Sequence, residues 1–80
     1  MQPSKAARIM LTDVLNVPAE DIGEQSREGN TQPHLIFMLR TVAGWDNTEK
    51  AHRWLGYAQG LAVMLGLATL EEMKVINHES

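Results

Sequence analysis

Apolar positions recur at helical spacing in four segments of the chain, most clearly between Asp46 and Gly66, DNTEKAHRWLGYAQGLAVMLG. Within it Ala51, Trp54, Leu55, Ala58, Leu61, Ala62 and Leu65 follow a 3.6-residue period, and Tyr57, Val63 and Met64 widen the apolar surface. Asp46 with Glu49 three positions on reads as a capping box, and Gly66 can take the left-handed conformation that ends a helix. The pattern predicts a long helix over residues 47–65. A helix apolar nearly all round must be covered on several sides, so the other helices of so short a chain are expected to wrap it.

Three shorter helices follow from the same reasoning. The first spans residues 4–16, with Ala7, Met10, Leu11, Val14 and Leu15 on one face and Pro18 to stop it. The second spans 33–43, opened by Pro33 and closed at Gly44, with Leu35, Met38, Leu39 and Val42 as its stripe and Ile36 and Phe37 as a second contact surface. Gly44 and Trp45 leave room only for a tight corner into the long helix. The fourth spans 70–77 behind a Thr69/Glu72 capping box, with Leu70, Met73 and Ile76 turned inward, Ala68 as a weak staple for Met73, and a fraying tail from Asn77 to Ser80. Residues 17–32 form a loop. Its Ala19–Gln32 stretch holds four of the ten acids, two glycines and a single large aliphatic residue, which marks it as a solvated segment. The expected architecture is all-α: one compact four-helix domain over residues 1–80, with a long apolar central helix and an acidic loop between helices 1 and 2.

Composition narrows the function classes. Eighty residues make a thin core that buries roughly 60% of the unfolded surface. The absence of cysteine removes disulfides and thiolate metal sites as staples, leaving good helix packing or self-association. Seven Lys and Arg against ten Asp and Glu give a net charge of −3. The positive residues are scattered singly, so nucleic-acid binding is disfavoured, with Arg40, Lys50 and Arg53 as the one local cluster that could meet an anion. The first ten residues lack the apolar core of a signal peptide, and the longest apolar run, Leu61 to Leu65, is far below membrane-spanning length. A soluble cytoplasmic protein without a membrane anchor is expected.

No residue set spells out a chemistry. His34, His52 and His78 are far apart and share no i, i+4 spacing, so no metal site is expected. Ser4, Ser26 and Ser80 lie outside any strained elbow of the kind that activates a hydroxyl. The acids Glu20, Asp21, Glu24 and Glu28 are out of register for a calcium loop, and no glycine-rich phosphate cradle is present. No catalytic residue and no cofactor is assigned. Trp45, in the corner, is the aromatic best placed for an exposed contact, whereas Trp54 belongs to the core stripe. Arg53 can pair with Glu49 across one helical turn. Gly56 and Gly60, four apart, each cost about 0.5–1 kcal/mol in a helix relative to alanine. Their expected return is close approach of a neighbouring helix backbone, with His52 and Val63 or Met64 bordering the groove; a self-association seam or a partner-binding groove is the alternative.

Two likenesses fail on specific residues. Leu11 to Ile22, LTDVLNVPAEDI, looks like an acyl carrier protein, but the serine that carries the prosthetic arm is missing where Gln32-Pro33-His34-Leu35 stands. Ala58 to Ile76 could form a DNA-reading helix–turn–helix, but Glu71 and Glu72 would face the phosphates. A third likeness survives. His34-Leu35 to Met38, followed by Glu49-Lys50-Ala51-His52-Arg53-Trp54-Leu55-Gly56-Tyr57-Ala58-Gln59-Gly60, resembles small helical proteins encoded by tailed bacteriophages and prophages. The shared pattern is a packing signature that carries no catalytic residue. It implies a small accessory protein in the bacterial host cytoplasm that acts by binding a host or phage protein. The expected function is therefore non-enzymatic protein–protein interaction through a corner of His34, Phe37, Arg40, Trp45 and Arg53, with the acidic stretch Glu20 to Glu28 as a second surface. A homo-oligomeric virion or assembly component, meeting its copy through His52, Gly56 and Gly60, is the alternative. A small DNA-associated regulator is a weaker one.

Overall fold

The computed structural model describes residues 1–17 and 32–80, and the acidic segment between them, with its candidate surface from Glu20 to Glu28, lies outside the described residues. Four helices form and no strand is present among the described residues. Helix α1 runs Pro3–Ile9 and continues into a π-helical turn, Met10–Val14; α2 is Gln32–Ala43, α3 Glu49–Met64 and α4 Leu70–Glu79. The radius of gyration, 11.2 Å, is close to the roughly 12 Å of a folded chain of this size. The all-α, four-helix expectation holds.

The caps show why the helices start and stop where they do. The N-cap of α3 is Thr48, not Asp46: its hydroxyl accepts the Ala51 backbone N–H at 3.2 Å. Starting at Asp46 would place Asn47 and Thr48, both poor helix formers, in the first turn. Outside the helix, Asn47 Oδ1 instead meets His52 Nε2 at 2.7 Å. The other end is a Schellman motif. Gly66, at φ 75°, donates to the Val63 carbonyl and Leu67 donates to that of Ala62. At α4 the capping box of Thr69 and Glu72 is complete in both directions, at 2.9 and 3.1 Å.

Two helix ends differ from their expected form. The first helix reaches Val14 only by widening into π geometry, with the Leu15 N–H donating to the Met10 carbonyl at 2.9 Å. Asn16, at φ 56°, then turns the chain into the left-handed region two residues ahead of Pro18. The tail does not fray, because α4 continues to Glu79. The Asn77 side chain is tied to Gln59, and the Gln2 N–H donates to the Ser80 carbonyl at 3.1 Å.

A single apolar core joins all four helices. It holds Ala6, Ala7 and Met10 from α1 and the turn after it, Leu35, Met38, Leu39 and Val42 from α2, Leu55, Ala58, Leu61 and Ala62 from α3, and Met73 and Ile76 from α4. Alanines at positions 6, 7, 58 and 62 keep the helix axes close. Helix α1 packs on each of the other three, whereas α3 packs on α2 and α1 from one side. The expectation that the long helix is wrapped on several sides is therefore corrected. Its outer face, including Gly56, Tyr57, Gly60 and Met64, is exposed. Leu70, expected to point inward, is also exposed.

Candidate functional site

The five residues of the proposed docking corner do not converge. His34 and Phe37 stack near the start of α2, ring centroids 6.1 Å apart. Trp45 lies beyond the other end of the same helix. At 1.5 Å of rise per residue, His34 and Ala43 stand about 13 Å apart along the axis, so one partner side chain cannot span both. Arg40 sits between them, half-buried. At the α2–α3 turn Trp45 meets Trp54 edge to face at 4.9 Å, and Lys50 Nζ lies 5.2 Å above the Trp45 ring. Both indoles are half-buried at the margin of the core, so Trp54 is not the fully buried residue its stripe implied. Arg53 is exposed and pairs with Glu49 at 3.4 Å, as the spacing predicts. The cluster latches the turn, since a cation over an indole contributes about 0.5–1 kcal/mol at an exposed site.

The second set, His52, Gly56 and Gly60, does share one surface of α3, and that surface is open. A Cβ built at Gly56 or Gly60 would meet nothing within 4 Å. The expected close approach of a neighbouring backbone is therefore absent among the described residues. Its absence has a geometric cause: α4 is held to α3 at Gln59, on the inner side, which leaves a trough between the two helices. Gln59 and Asn77 exchange both amide hydrogen bonds, at 2.7 and 3.1 Å, and Gln59 is the one buried polar residue among those described.

The trough holds a hollow of about 320 Å³ bounded by Gly56, Gly60 and Val63 on α3 and by Leu70, Met73 and Lys74 on α4. A second hollow, of about 360 Å³, lies across Gly60 between Tyr57, Leu61 and Met64. The two meet at Gly60 and make one continuous face. Tyr57 is 54% exposed, Met64 63% and Leu70 63%, so its raised features are apolar or aromatic. Sequence reasoning reached the glycines but not this setting. The residues it missed, Gln59, Leu70 and Asn77, carried a signal only in Gln59, a polar residue among the inward positions of α3.

The charged groups are mostly committed locally. An Arg8 guanidinium nitrogen donates to the Ala43 carbonyl at 3.2 Å, capping α2, and Lys74 pairs with Glu71 at 3.8 Å. Lys50 and Arg53, two members of the candidate anion cluster, face Trp45 and Glu49. Among the described residues no three His, Asp or Glu side chains gather as a metal ion would require, and no helix is long and apolar enough to cross a membrane. Compared with family models, with curated proteins and with solved structures, the chain finds no match in any of the three.

Proposed function

We propose that this chain is a non-enzymatic helical interaction protein that presents the outer face of α3, with α4 beside it, to another protein. The observation that carries this reading is the open glycine pair. Two residues that weaken a helix stand four apart with nothing among the described residues within 4 Å of a Cβ built at either, beside apolar and aromatic side chains that are more than half exposed. Within the monomer their cost has no return; a docked helix or loop supplies one. The chemistry of the face, glycines, aliphatics and a phenol, suits contact area.

The setting rests on the resemblance of His34-Leu35 to Met38 and Glu49 to Gly60 to proteins of tailed phages and prophages. It makes the partner a bacterial host factor or a phage protein in the host cytoplasm, blocked or redirected by occlusion. The dispersed corner supports docking less, because its indole, Trp45, is already covered on one side by Trp54 of the core margin.

The test is capture from bacterial lysate on immobilised protein, alongside sedimentation of the protein alone. A defined species is expected to be retained by the wild type and by Trp45→Ala, and lost from a Tyr57→Ala, Met64→Ala double variant. Both substitutions lie on exposed helix positions and leave the core intact. A wild-type chain that retains nothing above background and also sediments as a monomer overturns the reading.

A further inference from the structure

We infer that the open face of α3 is closed by a second copy of this chain, the two α3 helices crossing antiparallel over Gly56 and Gly60. The inference names the occupant of the face assigned above to a partner protein, and so rests on that reading.

Shape is the first argument. A two-fold interface requires raised features and hollows on the same surface, because each patch must fit itself. On α3 the raised Tyr57 and Met64 stand beside the hollows at Gly56 and Gly60, all on one helical face. An axis at the level between residues 57 and 60 sets the Tyr57 ring of one copy over Gly60 of the other. It also sets Met64 against the aliphatic stem of Arg53.

Charge is the second. The rim of the face carries Glu49 with Arg53 at one end and Glu71 with Lys74 along α4. This balanced border offers no single-signed edge to select an acidic or a basic partner. Antiparallel pairing brings Arg53 to the C-terminal end of the other α3, where the last carbonyls carry the negative end of the helix dipole.

Area is the third. At the exposures of Tyr57, Met64 and Leu70, the face offers roughly 350 Å² of apolar and aromatic surface per copy. Interfaces are about 60% apolar, which scales this to about 600 Å² per copy, at the low end of the range for specific interfaces. The expected product is a reversible dimer.

The chain has no cysteine, so single cysteines report the crossing directly. In the antiparallel arrangement the two residue-60 Cα atoms fall about 6 Å apart, within disulfide reach, and the two residue-53 Cα atoms about 16 Å apart, beyond it. Sedimentation velocity from low to high micromolar concentration, with mild oxidation of Gly60→Cys and Arg53→Cys, is the experiment. The expected result is a concentration-dependent dimer that Gly60→Cys links and Arg53→Cys does not. Gly60→Leu should raise the dissociation constant at least tenfold while circular dichroism shows the fold retained. A monomer at every concentration, equal linking by both cysteines, or a dimer indifferent to Gly60→Leu overturns the inference. If a monomeric chain still captures another protein through Tyr57 and Met64, the inference falls and the proposed function stands. A monomer that captures nothing removes both.

Discussion

Helix α2 sets Leu35, Met38, Leu39 and Val42 on one face and buries all four, whereas α3, four residues longer, buries one side and leaves Gly56, Tyr57, Gly60 and Met64 outside. The two helices look alike as apolar patterns and differ in what their side chains offer. The stripe of α2 is made of large aliphatic groups, each worth about 1.5–3 kcal/mol when fully buried. The inner side of α3 supplies two leucines, Leu55 and Leu61, among Ala51, Ala58 and Ala62, which contribute closeness rather than volume. Its outer side includes two residues with no Cβ at all, and a glycine surface gains little by being covered. Folding therefore has a strong reason to cover α2 and a weak one to cover the back of α3. That asymmetry leaves the back of α3 exposed to solvent.

Substitutions can break or sharpen the contrast. The largest effect is expected on α2. Leu39→Ala opens a cavity in the core and should cost about 2–5 kcal/mol, a large share of the roughly 4–12 kcal/mol that holds a chain of this length together. Urea denaturation followed by circular dichroism measures it, and a cost below 1 kcal/mol would mean that α2 is not the tightly packed helix. The seam between α3 and α4 comes next. Asn77→Ala strands the buried Gln59 amide and should cost about 1–3 kcal/mol. Replacing Gln59 and Asn77 together by leucine should cost less than the two single losses combined, and a thermal-melt double-mutant cycle checks this.

A smaller effect separates the two candidate caps of α3. Thr48→Ala should lower stability by about 1 kcal/mol, while Asp46→Ala should stay within about 0.5 kcal/mol. The reverse order in chemical denaturation would return the cap to Asp46. The smallest effect has the opposite sign. Gly56→Ala places a methyl group in open space and should raise monomer stability by about 0.5–1 kcal/mol. A lower melting temperature for this variant, measured at a concentration where the wild type is monomeric, would show that the back of α3 is covered within one chain.

These residues also mark how far sequence reading reaches. The four buried positions of α2, the stop at Gly66 and the capping box of Thr69 and Glu72 are local features, and local pattern finds them. At the start of α3 the local spacing points to Asp46, but Thr48, two positions on, is the cap, which leaves Asn47 outside the helix against His52. The π-helical turn at Met10–Val14 leaves no compositional trace, since widening a helix by one residue changes its register but not its residue types. The ordered tail depends on an amide pair eighteen residues apart in sequence. Tertiary pairing of that kind overrides the local expectation of fraying. The glycine pair shows the same division: its spacing is written in the chain, but whether anything fills the space is a property of the packed helices.

The adjacency of Trp45 and Trp54 governs how this protein will be followed optically. Both indoles of the chain lie within 4.9 Å of each other at one turn, and the core is built from aliphatic and methionine side chains. Tryptophan fluorescence, excited selectively over Tyr57, is consequently a gauge of the α2–α3 junction alone, sensitive to the Lys50 ammonium over Trp45 and to energy transfer between the rings. A spectrum that shifts while far-ultraviolet ellipticity stays constant reports the loosening of that junction, not the loss of the globule.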